Sequence, residues 1–524
     1  MKKKIFLLSI IFFVLVVLPI WEQDIWTSSL KKISSIASLI KSDYFQDVTE
    51  ENIEMASIKG MLKTLDPHSY FLDPRNFSRL TEEYKGKYYG LGIMIQKQGD
   101  KLVVITPIEG TPAYRLGIQA GDVISLINGE STKPITSYEA MQRLRGPKGT
   151  EVNITIVREG LERPLELTIT RAEIPLHSVP YAFILQDNVG YIFIRNFAET
   201  TTKEFEEKMK ILEQKGMKKL ILDLRGNGGG TFVQSIELSD EFLPKGAKIV
   251  AIKGRNNYYN REFRAFKNNQ YETIPLIILI NQGSASASEI VSGAVKDNDR
   301  GLIVGDTSWG KGLVQTVFPL TPSAAISLTT AKYFTPSGRS IQRDYSNIND
   351  YLFRREVPEE EREIKYTSKG RKVLGQGGID PDYEVEFSFS NLTARLLING
   401  AFFDYARKLL SKQTALGKKA IFAVRDKSQR EKRTREIFVD AGFEVNSDII
   451  EDFKLYLNKK KFSYKKEEFE ESFPQIKREL EKEVVSSMLG IEEGIKAYRK
   501  SDPVVLKAIQ VFPEAEALVR DSAA

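Results

Sequence analysis

Residues 274–315 read IPLIILINQGSASASEIVSGAVKDNDRGLIVGDTSWGKGLVQ, and this stretch decides how the fold of the chain is interpreted. Its apolar run Leu276–Ile280 has the length and the β-branched content of a buried strand, and Pro275 lies at the start, where a strand tolerates a missing donor. A helical stretch, 290–295, and a second strand-like run, 301–305, follow. The alternation of strands and helices predicts an α/β core.

Three serines occupy the turn between the first strand and the helix: Ser284, Ser286 and Ser288. A hydroxyl on a strand-to-helix turn is exposed, and the N–H groups of the first helical turn point at whatever it attacks. Lys311 follows the next predicted strand and is placed to reach such a hydroxyl. The pattern therefore predicts a hydrolase site built from a serine and a lysine.

Two other interpretations compete with this site. Ser286 and Glu289 have the spacing of a capping box, which would make Ser286 a helix cap and nothing more. The run from Gly305 to Lys311 has the G-x-x-x-x-G-K pattern of a phosphate-binding loop. That loop continues with Ser or Thr and a helix, whereas Gly312 and a strand-like run follow here, so the phosphate-loop interpretation is weak.

Composition narrows the chemistry. The chain has no cysteine, which excludes a thiol nucleophile, a thiolate zinc site and a disulfide framework. It has only two histidines, His68 and His177, so a histidine base has few candidates. A lysine can serve as the base when burial lowers its pKa enough to keep it neutral. The net charge of +6 is small for 524 residues, and nucleic acid is not indicated as a partner.

The motifs SASASEI (284–290) and GKGLVQ (310–315) together resemble the C-terminal processing peptidases, or tail-specific proteases. These are serine peptidases with a Ser–Lys dyad. The resemblance implies that Ser286 is the nucleophile, that Lys311 is the base and that Gln315 orients the lysine amine. It implies no metal or organic cofactor. With the whole pattern present, a capping role for Ser286 is an addition to catalysis and not a rival.

A glycine cluster at 228–230 follows another predicted strand, Lys219–Leu224. Such a cluster is either a tight turn or a source of N–H groups for an oxyanion. The resemblance assigns the oxyanion role to a Gly-Gly pair, and we predict Gly229 together with the N–H of Ala287. The family has Asn-Pro before that pair where this chain has Asn227-Gly228, so the choice among the three glycines stays open.

Residues 81–172 read as a small β-rich module. Five short strands are predicted, separated by Gly, Pro and Asn turns: Ile93–Gln96, Leu102–Ile105, Val123–Ile127, Glu151–Val157 and Leu165–Thr170. The loop Gly90, Leu91, Gly92, Ile93 resembles the carboxylate-binding loop of PDZ domains, and Leu116-Gly117-Ile118 and Gly121-Asp122 fit the same pattern. Adjacent N–H groups would grip a terminal carboxylate while a strand edge adds the peptide as another strand. The expected partners are therefore C-terminal tails of protein substrates. Arg145 is either a link to the protease or a solvated loop arginine.

The N-terminal residues 1–22 form a targeting segment. Lys2, Lys3 and Lys4 precede an apolar run, 5–20, which matches the basic and hydrophobic regions of a secretory signal. No A-x-A site follows, and the run is short for a membrane span. A cleaved signal peptide and an uncleaved anchor in the cytoplasmic membrane both remain open. Either one predicts that the rest of the chain is exported to the periplasm or another extracytoplasmic space.

The remaining segments flank the core. Residues 23–80 are predicted to be a helical segment. Its helical periodicity covers 28–65 and ends at a proline turn, 65–70, on which His68 is interpreted as a hydrogen-bonded turn residue. The resemblance implies a ββα superhelical core related to crotonases for 173–390, within which the charged run 344–371 is predicted to be an exposed excursion. Residues 391–524 have helical apolar spacing with mixed charge, which is typical of a solvated helical face and predicts a regulatory or homo-oligomerising arm. The apolar positions are Ile476, Leu480, Val484 and Met488.

Two functions follow from these observations. The first is an exported serine endopeptidase that captures C-terminal tails through the PDZ module and cleaves through an acyl-enzyme. The second is an inactive PDZ scaffold or adaptor that only binds tails. Loss of Ser286 or Lys311 would favour the scaffold, and both residues are present.

Overall fold

The computed structural model describes residues 27–268, 271–354, 357–424, 436–440 and 442–523. The predicted targeting segment, 1–22, lies outside the described residues. Within the described ranges, none of the helices combines the length and the apolar character that crossing a membrane requires.

The N-terminal segment is helical, as its periodicity predicts. It comprises helix α1 (27–43), α2 (Glu50–Lys63), strand β1 (Tyr70–Leu72) and α3 (Pro74–Lys85). Helix α2 begins where the Thr49 side chain accepts the Asn52 N–H, and Asp66 orders the turn after the helix by accepting the His68 N–H at 2.8 Å. His68 therefore lies on a hydrogen-bonded turn.

The PDZ module contains all five predicted strands, and three of them keep their predicted ends. In chain order it consists of β2 (Lys87–Gly90), β3 (Ile93–Gln98), β4 (Lys101–Pro107), α4 (Pro112–Arg115), β5 (Val123–Ile127), β6 (Glu130–Ser131), α5 (Ser137–Leu144), β7 (Glu151–Val157), β8 (Leu165–Thr170) and β9 (Ala172–Pro175). The sheet order is β3-β4-β5-β7-β8, with β6 on β5 and a separate β2–β9 pair. Strand β3 is thus an edge strand, free to accept a further strand.

The core, predicted for 173–390, alternates strands and helices. Its elements are β10 (Tyr181–Ile184), β11 (Val189–Phe193), α6 (Thr201–Gln214), β12 (Lys219–Asp223), α7 (Phe232–Asp240), β13 (Lys248–Gly254), β14 (Arg261–Arg264), β15 (Leu276–Ile280), α8 (Ala287–Asp297), β16 (Leu302–Gly305), β17 (Leu313–Thr321), β18 (Ala324–Phe334), α9 (Ile348–Leu352), β19 (Ile364–Tyr366), β20 (Lys372–Leu374) and β21 (Tyr383–Glu384). Short 3₁₀ turns occur at Gln186–Asn188, Asn257–Tyr259 and Glu359–Glu361. The main sheet has the order β10-β11-β12-β15-β16-β21, and all its pairs except β10–β11 are parallel.

The chain forms two compact units. Residues 27–77 group with Gln315–Thr329 in one unit, in which β1 pairs antiparallel with Ala325–Ser327 of β18. The other unit contains 78–314 and 330–523, and there the end of β18 pairs with β13, which also pairs with β14. The PDZ module and the main sheet both belong to this second unit.

The C-terminal extension is helical, as predicted, with one parallel strand pair that was not predicted. It comprises α10 (Asn391–Ile398), α11 (Ala401–Leu410), β22 (Ile421–Val424), β23 (Glu436–Val439), α12 (Ser447–Lys459), α13 (Lys466–Leu489), α14 (Ile491–Lys500), α15 (Pro503–Gln510) and α16 (Phe512–Ala523). Ile476, Leu480 and Val484 on α13 are fully buried in a core of their own. The expectation of a solvated charged face is wrong at Glu479 and Glu481 of the same helix, which are also buried.

Both faces of the main sheet are covered. Successive residues of a strand point to opposite faces, so neighbouring residues pack against different layers. Leu220, Leu222 and Ile278 face helices α6, α7 and α8. On the other face, Ile221 and Ile277 lie in one apolar cluster with residues of α15 and α16, which include Val505 and Phe512. The end of the extension is thus a layer of the catalytic core.

Candidate active site

Three loops meet at the carboxyl edge of the main sheet, because the strands β12, β15 and β16 are parallel. Backbone hydrogen bonds join them. The Ala285 N–H donates to the Asn227 carbonyl oxygen at 3.0 Å, and the Trp309 N–H donates to the Ser284 carbonyl oxygen at 2.8 Å. The Gly226 N–H donates to Asn281 Oδ1 at 2.8 Å. The loop with the glycine cluster 228–230, the loop with the three serines and the loop with Lys311 therefore form one cluster. They are called the glycine loop, the serine loop and the lysine loop.

The three serines of the turn have different surroundings. Ser284 and Ser288 are both fully buried, and their hydroxyls donate at 2.8 Å to the carbonyl oxygens of Leu224 and Asn227. Ser286 is only half-buried, and its backbone has φ 55° and ψ −110°. A side chain other than glycine rarely adopts a positive φ, and such strain clusters at active sites. The geometry thus separates Ser286 from its two neighbours.

Glu289 joins the serine loop to the lysine loop. Its Oε2 accepts the N–H groups of Ser286 at 2.8 Å and of Lys311 at 3.0 Å. Its Oε1 accepts the Gly310 N–H and the Ser308 hydroxyl, both at 2.6 Å. One carboxylate therefore fixes the backbone at both members of the predicted dyad.

Burial strongly affects this carboxyl group. Glu289 is fully buried, and desolvation raises its pKa to about 7 against the opposing effect of its hydrogen bonds. The sequence alone predicts only a capping role for Glu289, and the Ser286 contact fits that role. The contacts with 308–311 depend on tertiary structure, and no sequence signal points to them.

The lysine loop is held from its other side by the segment around Ile379. The Ile379 N–H donates to the Ser308 hydroxyl at 2.7 Å, and the Ser308 N–H donates to the Ile379 carbonyl oxygen at 3.0 Å. The Trp309 indole donates to the Tyr351 hydroxyl at 3.0 Å, and Tyr351 is buried. The prediction that the 344–371 run is an exposed excursion is therefore wrong at Tyr351.

Gly229 lies directly beside the serine. At its φ of 103°, a Cβ atom would lie 2.9 Å from the Ser286 Cβ and 3.1 Å from the Ala287 nitrogen, so a side chain does not fit. The Gly229 N–H donates to Asn227 Oδ1 at 2.9 Å, and Ala287 is the first residue of α8. The backbone is thus placed for the predicted oxyanion role, but the N–H of Gly229 already has an acceptor. The choice among the three glycines stays a prediction.

Gln315 lies on β17, and its amide donates to the Thr329 hydroxyl at 3.2 Å. The Thr329 hydroxyl in turn donates to Asp66 Oδ1 at 3.0 Å. These contacts order Gln315, and its predicted action on Lys311 stays a prediction.

Two backbone carbonyl groups of the PDZ loop accept hydrogen bonds that hold the loop in place. The carbonyl oxygen of Leu91 accepts the Ala113 N–H at 3.1 Å, and that of Gly92 accepts the Ile108 N–H at 2.8 Å. A side chain at Gly92 would collide with Thr111, while Ile93 opens the edge strand β3 and Gly90 ends β2. Helix α5 begins beside that strand, since Ser137 Oγ accepts the Lys97 N–H at 3.0 Å. The edge strand β3 and the start of helix α5 therefore lie side by side.

Arg145 is not a solvated loop residue. Its guanidinium lies 4.2 Å above the centre of the Tyr88 ring and forms an ion pair with Glu82. It therefore connects the end of α5 with β2 and α3. Its coupling to the protease stays a prediction.

Comparison with known proteins identifies the families that this sequence resembles. Residues 188–349 match Peptidase family S41, 80–157 match the PDZ domain, and 21–75 match the activating protease CtpB N-terminal domain. The carboxy-terminal-processing protease of Bartonella bacilliformis is 38% identical over 325 residues, which are 61% of this chain and 74% of that protein. The carboxy-terminal processing protease CtpA of Bacillus subtilis is 34% identical over 317 residues, 60% of this chain and 67% of that protein. A solved photosystem II D1 C-terminal processing protease covers 67% of this chain and 85% of its own, with 27% identity and a TM-score of 0.36.

The mixed α/β core, the serine loop and the PDZ module define a serine-type peptidase. More narrowly, the chain belongs to the carboxy-terminal processing protease family.

Proposed function

We propose that the chain is an exported endopeptidase in which Ser286 and Lys311 form the catalytic dyad. The Ser286 Oγ attacks the scissile carbonyl carbon while neutral Lys311 takes the hydroxyl proton. The N–H of Ala287 and an N–H of the loop around Gly229 stabilise the oxyanion. Lys311 then returns the proton to the leaving amine, and water hydrolyses the acyl-enzyme to release the second product.

The observation that carries this proposal is the difference among the three serines. The hydroxyls of Ser284 and Ser288 are buried and donate to backbone carbonyl oxygens, whereas Ser286 is half-buried at a strained φ. Glu289 supports the same assignment, since it binds the backbone N–H groups of Ser286 and Lys311 with one oxygen. Gln315 is proposed to orient the lysine amine.

The serine series tests the dyad. Ser286→Ala should abolish cleavage of an unfolded protein with an apolar C-terminus and leave the circular dichroism spectrum unchanged. Ser284→Ala should retain activity, because it removes only two buried hydrogen bonds, to the Leu224 carbonyl oxygen and from the Asn281 N–H, each worth about 0.5–1.5 kcal/mol. Ser288→Ala is the matched control, with the same burial and the same kind of bond. Full activity in Ser286→Ala together with an inactive Ser284→Ala would make Ser284 the nucleophile.

We further propose that the PDZ module captures the C-terminal tails of substrates and delivers the chain to the site. The free edge of β3 and the helix α5 beside it support this proposal, and so does the loop Gly90–Ile93. Targeting by residues 1–22, by cleavage or by anchoring, would place this activity outside the cytoplasm. The succession of strand and helix units from β10 to α8 supports a core of the ββα superhelical kind.

A peptide amide tests tail capture. Replacing the free C-terminal carboxylate of a substrate peptide by an amide removes the charge that the loop N–H groups would grip. Calorimetric titration should show binding to the Ser286→Ala protein weakened by about 1–3 kcal/mol. Equal affinity for the acid and the amide would mean that the module does not recognise a chain end.

A further inference from the structure

Arg225 is the first residue of the glycine loop, and its guanidinium is held between two buried carboxylates. Its Nη2 donates to Asp223 Oδ2 at 2.6 Å and to Asp502 Oδ2 at 2.8 Å. Its Nη1 donates to Asp502 Oδ1 at 3.2 Å, which makes the second pairing bidentate. Asp502 lies in the C-terminal extension, 277 residues from Arg225. A residue of the extension therefore holds the beginning of a loop that borders the candidate active site.

A second arginine completes the network. Arg499 donates through Nη1 to Asp502 Oδ2 at 2.7 Å and through Nε to the Tyr191 hydroxyl at 2.8 Å. The Tyr191 hydroxyl donates to Asp223 Oδ2 at 2.6 Å. Two arginines and two aspartates cancel in charge, which is the condition under which charged groups are tolerated in a core.

A short stretch of chain, 225–229, connects this network to the surroundings of Ser286. Asn227, two residues after Arg225, accepts the Ala285 N–H at 3.0 Å and the Ser288 hydroxyl at 2.8 Å with its carbonyl oxygen. Its side chain accepts the Gly229 N–H, and Gly229 adjoins Ser286. A shift of Arg225 would therefore move the groups on which the serine loop rests.

We infer that Asp502, supported by Arg499, is a positioning residue for the serine site. It fixes Arg225 and hence the register of the glycine loop against the loop of Ser286. The inference rests on the proposed role of Ser286 and adds to it that the extension is needed for turnover. Asp502 lies outside residues 188–349, the part of the chain that matches the peptidase family.

The test is Asp502→Asn in the full chain. Asp502 also accepts the Val504 N–H at 3.0 Å as the cap of α15, and asparagine caps a helix as well as aspartate does. The substitution therefore keeps the cap and removes one of the two charged bidentate acceptors of Arg225, the other being Asp223. With an unfolded protein bearing an apolar C-terminus as substrate, kcat should fall about tenfold to a hundredfold, because small misplacements of catalytic groups have effects of this size. KM should change by less than about twofold, since substrate capture is untouched.

Glu516→Gln is the matched control. It removes the ion pair between Glu516 and Lys219, at 2.6 Å, which ties α16 to the start of β12, the strand that ends at Asp223. This pair connects the same extension to the same strand but lies away from the glycine loop. Its loss should leave kcat near the wild-type value.

A charge-balanced variant separates positioning from stability. Asp502→Asn with Arg499→Gln leaves one arginine and one aspartate in the network, so its thermal unfolding midpoint should lie above that of Asp502→Asn. Its kcat should stay low, because Arg225 still lacks Asp502. If Asp502→Asn does not fold, kcat of this double variant provides the test instead. Wild-type kcat in either variant, or an equal loss in Glu516→Gln, would overturn the inference.

Ser286→Ala, assayed in parallel, keeps the two proposals apart. Turnover by Ser286→Ala would remove the proposed nucleophile whatever Asp502→Asn does. An inactive Ser286→Ala combined with wild-type kcat in Asp502→Asn would remove only the positioning role.

Discussion

Glu289 and Asp502 are both buried carboxylates next to active-site loops, yet their surroundings move their pKa values in opposite directions. Glu289 accepts three backbone N–H groups and one hydroxyl, all neutral, and burial raises its pKa to about 7. Burial also acts on Asp502, but the charges of Arg225 and Arg499 outweigh it and lower the pKa to about 2.

The difference lies in how each carboxylate is compensated for lost hydration. Neutral donors lower the energy of a buried anion only in part, whereas guanidinium groups in bidentate contact also neutralise its charge. Asp502 is thus a permanently charged anchor at any ordinary pH. Glu289 holds the loops of Ser286 and Lys311 with a group that can titrate near neutrality. Three predictions test this contrast.

The largest effect is expected from Glu289→Gln. An NH₂ group on the Ser286 and Lys311 side creates two donor–donor contacts with backbone N–H groups. On the other side it creates one, with the Gly310 N–H, because the Ser308 hydroxyl can turn and accept. Each stranded donor costs about 1–3 kcal/mol, so the free energy of unfolding should fall by about 1–6 kcal/mol. Peptidase activity should be lost with it, because either loss releases the lysine loop. Urea unfolding and cleavage of an unfolded substrate measure the two effects.

Ser292→Ala is the control for that substitution. Ser292 is buried on the same helix, but its hydroxyl donates to the Ser288 carbonyl oxygen at 2.8 Å and not to a group of Ser286 or Lys311. The Ser292→Ala variant should lose about 0.5–1.5 kcal/mol of its free energy of unfolding and keep its peptidase activity. Comparable activity in Glu289→Gln and Ser292→Ala would show that the loops do not depend on the carboxylate.

The two carboxylates also show which features can be predicted from the sequence and which cannot. The proposed dyad, Ser286 and Lys311, is predicted from the sequence because its motifs are local. The strand Leu276–Ile280 is predicted with its ends because a buried strand has an unbroken apolar pattern. The links made by Glu289 to the lysine loop and by Asp502 to Arg225 span 22 and 277 residues. No local pattern encodes such contacts, since they exist only when the sheet brings distant loops together.

The extension is the clearest case of this limit. Its mixed charge predicts a solvated face, whereas Glu479 and Glu481 are buried and Phe512 lies against the main sheet. Periodicity identifies which side of a helix is apolar but not what covers it. In the PDZ module the predictions succeed because short alternating strands between turn residues are themselves local features.

The next effect is a pH dependence that separates the two carboxylates. Because the pKa of Glu289 is raised from 4.5 to about 7, the folded state binds an extra proton between these values. Wild type should therefore lose stability relative to Glu289→Gln as the pH rises from 4.5 to 7, by about 3 kcal/mol in total. Urea unfolding of both proteins at several pH values measures the difference.

Asp502→Asn should behave differently in the same titration. The pKa of Asp502 is lowered to about 2, so its contribution is fully present above about pH 4 and is lost only in stronger acid. The stability difference from wild type should be constant from roughly pH 5 to pH 8, because Asp502 is ionised in both the folded and the unfolded state there. A constant difference for Glu289→Gln as well would mean that Glu289 is ionised throughout and that the contrast is absent.

The smallest effect is expected from Tyr191→Phe, which removes a neutral member of the charged network. The Tyr191 hydroxyl is buried between Asp223 and Arg499, so its loss strands the Nε donor of Arg499. Asp223 keeps its bonds from Arg225, and Asp502 keeps both arginines. The free energy of unfolding should therefore fall by only about 1–2 kcal/mol, and kcat should stay within about twofold of wild type. A loss of kcat as large as that in Asp502→Asn would instead place the critical link to the glycine loop at Tyr191 and Asp223, and the anchoring would then come from the sheet and not from the extension.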